Sequence, residues 1–248
     1  MKTLFLNIFR HKKIFLILYF LLMHVFIIII IVKPNIMKVV SLKFANTSHE
    51  TSKFHKTMLN YHLRADGNVP VQSVIIFGDS IIQGLCAPCI SKNVINYGIG
   101  GDTTLGIIHR VKKYKSLDNA KAIILAIGVN DLAIRGDKDI ITNFKKIISL
   151  LENKKLVISL ILPVDERIAN NKYLLNSRIH NLNIKIKYLC NQHPHCLSFN
   201  FGSKLLGNDG NLKRDFHIGD GVHLNKSGYS ILIKGIREFV NRKGNING

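Results

Sequence analysis

Five short apolar runs recur through the chain, at 72–77, 93–97, 121–127, 155–162 and 195–200. Segments with helical spacing alternate with them, at 81–85, 103–114, 138–152, 172–190 and 226–241. The run Ala122-Ile123-Ile124-Leu125-Ala126-Ile127 has no polar residue at alternate positions. A strand of that kind is buried on both faces, as in a parallel sheet. The alternation therefore predicts an α/β fold in three layers, a parallel sheet with helices on both faces. The hydrophobic content of 47% is enough for such a core.

Several runs end in glycine-containing loops. Val74 to Phe77 stops at Gly78-Asp79-Ser80, and a helix-compatible segment follows. In open α/β sheets ligands bind at the carboxyl ends of strands. Ser80 then sits at a helix N-terminus, hydroxyl exposed, beside free backbone N–H groups. The same local pattern also describes a serine that caps a helix and does no chemistry. The second run leads into Asn96-Tyr97-Gly98-Ile99-Gly100-Gly101-Asp102-Thr103-Thr104, where glycines allow close approach of backbone to a ligand. Gly-x-Gly-Gly is not a dinucleotide fingerprint, because the third glycine is missing from its required place. The third run leads into Gly128-Val129-Asn130-Asp131. The Asn130 amide either donates into the same crevice or only shapes a turn. Gly219-Asp220-Gly221-Val222-His223-Leu224-Asn225 precedes the last helix. An aspartate three residues before a histidine on a tight turn can reach the imidazole and fix its tautomer, leaving the other ring nitrogen to face Ser80. One histidine among eleven is weak evidence, but four such loops together are a much rarer pattern.

Phe77-Gly78-Asp79-Ser80, Gly98-Ile99-Gly100-Gly101-Asp102-Thr103, Gly128-Val129-Asn130-Asp131 and Asp220-Gly221-Val222-His223 resemble, in order and spacing, the four blocks of the SGNH or GDSL hydrolases. The resemblance covers about residues 70–241. It implies a flavodoxin-like sheet, with Ser80 as nucleophile, His223 as base and Asp220 as the carboxylate that orients it. It implies an oxyanion hole made by the Ser80 and Gly101 backbone N–H groups and the Asn130 side chain. Asp79 and Asp102 would hold loops. The implied activity is ester hydrolysis through an acyl-serine, on a lysophospholipid, a small ester or an acylated glycan, with no metal or organic cofactor. An O-acyltransferase would use the same acyl-serine, and a non-catalytic binding domain could reuse the scaffold.

The run Ile14–Val32 is uncharged and would span about 28 Å as a helix, close to a bilayer core. It is longer than the apolar part of a secretory signal and ends in Val32-Lys33-Pro34-Asn35, without a small-residue cleavage site. We therefore expect a cytoplasmic N-terminus at 1–13, a transmembrane anchor at 14–32, a linker at 33–69 and the hydrolase domain at 70–248. Lys2, Arg10, Lys12 and Lys13 precede the run, while Lys33, Lys38 and Lys43 follow it. That bias orients a single-pass protein of the inner membrane with its catalytic domain outside the cytoplasm. Within the linker, Thr47 and Glu50 have capping-box spacing, and Phe54, Met58, Leu59, Tyr61 and Leu63 form one stripe, predicting a packed helix over 48–63. The formal net charge of +20 is spread along the chain without a nucleic-acid motif, so no nucleic-acid partner is expected. Cys86, Cys89, Cys190 and Cys196 allow three disulfide connectivities in an oxidising compartment. The Cys190–Cys196 pairing is favoured. Cys86-Ala87-Pro88-Cys89 has the spacing of a redox motif without its context, and reads as a structural disulfide or two thiols. Cys190, His193, His195 and Cys196 match no usual zinc spacing.

Overall fold

The computed structural model describes residues 15–16, 18–25, 52–169, 173 and 175–241. The chain divides into two units, Met1–Thr47 and Ser48–Gly248. In the first, residues 15–16 and 18–25 are helical and their large apolar side chains are exposed. The rest of the anchor expected at 14–32, and the capping box at Thr47 and Glu50, lie outside the described residues. Among the described residues no helix is long and apolar enough to cross a membrane.

The second unit is built on five parallel strands: β1 (Val74–Gly78), β2 (Val94–Gly98), β3 (Ala122–Ala126), β4 (Leu156–Ser159) and β5 (Cys196–Phe199). Their order is β2-β1-β3-β4-β5. Every residue of β1 and of β4 is buried, so both faces of the sheet are covered there. The helices are α1 (Lys53–Asp66), α2 (Ser80–Gln83), α3 (Thr104–Arg110), α4 (Asp137–Leu150), α5 (Asn176–Asn191) and α6 (Lys226–Asn241). In this doubly wound order β1 connects to β2 on one side and pairs with β3 on the other. The crevice at that switch point opens above the carboxyl ends of β1 and β3. Ser80 follows β1 and Asn130 follows β3, so both loops feed that crevice.

Several expected boundaries move, and two of them have a clear local reason. The strand expected over 155–162 ends at Ser159. Beyond it the Asn183 side chain accepts from the Ile161 N–H at 2.9 Å and donates to the Ile161 carbonyl at 2.9 Å, replacing the ladder. The helix expected over 172–190 starts at Asn176, whose side chain clamps Val164 in the same way, at 2.9 and 2.7 Å.

The helix expected over 48–63 is α1, and its described start differs. Ser52 is the N-cap, its hydroxyl accepting from the His55 N–H at 3.1 Å. Its apolar stripe is split: Leu59 and Leu63 pack against the core, whereas Phe54 and Tyr61 are 48% and 57% exposed. Its fully buried residues are polar. His55 meets Asp102, His62 meets Tyr114, and Asp66 accepts from the Tyr97 hydroxyl and the Lys115 and Ser116 N–H groups. Hydrogen-bond partners from distant segments decide this face, which periodicity alone does not register.

Both disulfides form. Cys190–Cys196 ties the end of α5 to the start of β5, and Cys86–Cys89 closes a 3-10 turn at Ala87–Cys89.

Candidate active site

Ser80 opens α2, immediately after β1. Asp79 caps that helix by accepting from the Ile81 N–H at 2.9 Å. The Ser80 N–H, first in the helix, has no intrahelical acceptor by its position. Its hydroxyl lies 2.8 Å from His223 Nε2. On the other side of the ring, His223 Nδ1 lies 2.6 Å from Asp220 Oδ2. Asp220 Oδ1 accepts from the N–H groups of Val222 and His223 at 3.0 and 2.9 Å, so one carboxylate both shapes the turn and orients the imidazole. That turn needs glycine at 221: φ is +77°, and a Cβ there would meet the Asp165 carbonyl at 2.7 Å. The side chains of His223 and Asp220 are 42% and 41% exposed, so the site is open to solvent.

Burial works against charge on Asp220, but the Val222 and His223 N–H groups and the His223 ring outweigh it and hold the carboxyl below the usual carboxylate range. Asp220 is therefore ionised at neutral pH, as orienting an imidazolium requires.

The second wall of the crevice is organised by Asp102. Its backbone carbonyl accepts from Asn130 Nδ2 at 2.9 Å. Its carboxylate accepts from Arg110 Nε at 2.8 Å, from the Thr103 N–H at 2.9 Å and lies 3.3 Å from His55 Nε2. Gly101, with φ +73°, and Asn130 are thus joined through one buried residue. Burial opposes charge on Asp102, and the Arg110 guanidinium overrides it and lowers the pKa. Arg110 is 0% exposed and also donates to the carbonyls of Gly78 and Tyr97 and to the Tyr114 hydroxyl. It ties the ends of β1 and β2 to the loop between them and α3.

The expected residues Ser80, His223 and Asp220 come together directly. Gly101 and Asn130 meet at Asp102. Asp79 and Asp102 hold loops, as the resemblance implied. Sequence reasoning missed Arg110, His55 and His217. For Arg110 a signal existed: it shares the stripe of Ile107, Val111 and Tyr114, all buried, so a cation occupies a core position and must be paired there.

Burial raises the Asp79 carboxyl to about 7, although the Ile81 N–H pulls the other way. The folded state therefore binds this proton more tightly than the unfolded chain. Its contribution to stability is full below the unfolded value of about 4 and is lost as pH rises towards about 7. Asp79→Asn keeps an acceptor for Ile81 and removes the titration. Its stability relative to wild type is expected to rise between about pH 4 and 7, by at most about 1.4 kcal/mol per pH unit, and then level off. Urea unfolding of both proteins across that range checks this; a difference independent of pH would refute it.

A hydroxyl bonded to an imidazole that a carboxylate orients, beside amide donors at the switch point of a parallel sheet, is the layout of a serine-dependent acyl-transfer site. The family comparison agrees with this class. The model of the GDSL-like lipase/acylhydrolase family matches residues 76–231, and the chain belongs to that family and is a hydrolase of its type. Solved structures share the fold. A protein from Streptococcus pneumonia provisionally described as a platelet activating factor superposes with a TM-score of 0.70 at 22% identity, covering 76% of this chain and 93% of that one. A GDSL-like lipase from Bacteroides thetaiotaomicron gives 0.64 at 20% identity, with 74% and 97% covered. The lipase/acylhydrolase from Enterococcus faecalis gives 0.60 at 18%, with 68% and 95% covered. A search of curated proteins found no match.

Proposed function

We propose that the protein is a serine ester hydrolase acting on an O-acyl ester of a lipid or a glycan through Ser80, His223 and Asp220. The observation that carries this reading is the continuous relay from Ser80 Oγ through the His223 ring to Asp220, at 2.8 and 2.6 Å. His223 takes the Ser80 proton as the oxygen attacks the ester carbonyl, giving a tetrahedral oxyanion. The Ser80 and Gly101 N–H groups and the Asn130 amide are the donors for that oxyanion. One Asn130 N–H is spent on the Asp102 carbonyl, which orients the amide and leaves its second N–H for the substrate. Each donor is worth about 2.7–4 kcal/mol in the transition state. Collapse expels the alcohol with the proton from His223 and leaves an acyl-serine. Water, deprotonated by His223, then releases the acid.

The test is a panel of lysophospholipids, small acyl esters and acetylated glycans, with products analysed in the presence and absence of an acceptor sugar. Release of free acid from at least one ester is expected. Product found only on the acceptor would make the protein an acyltransferase, and inertness of wild type across the panel would leave a binding domain.

We further propose that residues 14–32 anchor the chain in the cell membrane, with the hydrolase domain outside the cytoplasm. The apolar run, the charge bias around it and the two disulfides support this. A reporter fused after Gly248 is expected to show exported activity; a cytoplasmic signal would refute the topology.

A further inference from the structure

The turn bearing Asp220 and His223 rests on a second, buried histidine. His217 is 4% exposed. Its Nδ1 lies 3.1 Å from the Gly219 N–H and 3.2 Å from the Gly221 N–H. A backbone N–H can only donate, so Nδ1 must present its lone pair and the ring proton must sit on Nε2. Nε2 is buried and has no hydrogen-bond partner. The carboxylate facing it is Asp165, with Oδ2 at 3.5 Å. Asp165 is buried in turn and takes two bonds from Arg167, at 2.7 and 2.9 Å. The Asp165 N–H donates to the Gly221 carbonyl at 2.8 Å, so His217 and Asp165 hold Gly221 from its two ends. The Ile218 N–H, next to His217, donates to the His223 carbonyl at 2.9 Å.

We propose that His217, as the neutral Nε2–H tautomer backed by Asp165, is a positioning residue that holds the Gly219 and Gly221 N–H groups and so aligns Asp220 and His223 with Ser80. The proposal rests on the hydrolase reading given above. Its physical basis is competition for acceptors. Asp220 Oδ1 already serves the N–H groups of Val222 and His223. If His217 offered no lone pair, the Gly219 and Gly221 N–H groups would have to find another acceptor, and the Asp220 carboxylate is on the same turn. Any rotation of that carboxylate towards them withdraws it from His223 Nδ1.

The test uses the full chain with two substitutions. His217→Leu keeps bulk and removes the acceptor. His217→Asn places an amide oxygen near the former Nδ1 and can accept from both N–H groups. The leucine variant is expected to lose about 10²-fold in kcat, the scale of a small misplacement of reacting groups, with little change in KM. Its fluorophosphonate labelling should slow in step. The asparagine variant is expected to recover most of kcat. Nitrogen-15 spectra of wild type should show His217 Nδ1 unprotonated at neutral pH. A folded leucine variant with wild-type kcat, an asparagine variant no better than leucine, or a protonated Nδ1 would overturn the proposal. If the leucine variant does not fold, the asparagine kinetics and the tautomer still decide. Ser80→Ala run alongside separates the two readings: activity surviving there defeats the hydrolase mechanism, whereas the His217 tautomer is read independently of it.

Discussion

Ser80→Ala is expected to abolish ester hydrolysis, with a loss in kcat on the order of 10⁶-fold, the scale found when the nucleophile of a serine triad is removed. The fold should survive. The Ser80 side chain makes one bond, to His223, and α2 is capped by Asp79 and not by the serine. Thermal unfolding should therefore be close to that of wild type. The loss should not add to that of His223→Ala, because a base without a nucleophile has nothing to activate. The double variant should behave as Ser80→Ala alone. Any residual rate would come from the Gly101 and Asn130 donors and from substrate binding.

Asp220→Asn has the next largest expected effect, up to about 10⁴-fold in kcat. The substitution is nearly isosteric, and its oxygen can still accept from the Val222 and His223 N–H groups that fix the turn. What changes is the group facing His223 Nδ1 at 2.6 Å. An amide N–H there favours the tautomer in which Nδ1 accepts and Nε2 carries the proton. Such a ring cannot take the Ser80 proton. KM should change little, since Asp220 is not expected to touch the substrate. Steady-state kinetics on the best ester of the panel check this, and a kcat within tenfold of wild type would contradict the assigned role.

The sheet was legible because burial on both faces leaves no polar residue in a strand such as Ala122–Ala126, a pattern visible without any partner. The candidate residues were legible for a related reason, while the roles given to them came only from the resemblance to the family. Ser80, Gly101, Asn130 and the Asp220–His223 turn are each local motifs at a strand end or before a helix, and the doubly wound order brings strand ends together. What was not legible depends on pairs far apart in sequence. His55 finds Asp102 across 47 positions, and His62 finds Tyr114 across 52. With those partners unseen, the apolar stripe of α1 looked like its whole buried face, whereas only part of it, Leu59 and Leu63, packs on the core beside His55, His62 and Asp66, and Phe54 and Tyr61 remain exposed. His217 was one of eleven histidines with no motif of its own, and only the folded turn shows the two N–H groups aimed at it. The Cys190–Cys196 bond was readable because it closes a short loop between a helix and the next strand.

The central claim is that Ser80 is the nucleophile, and covalent labelling by a fluorophosphonate probe tests it most directly. Mass mapping of the labelled full-length protein should place one adduct on Ser80. Labelling should vanish in Ser80→Ala and fall sharply in His223→Ala, while both variants remain folded. An adduct on another residue, or undiminished labelling of folded Ser80→Ala, would contradict the account.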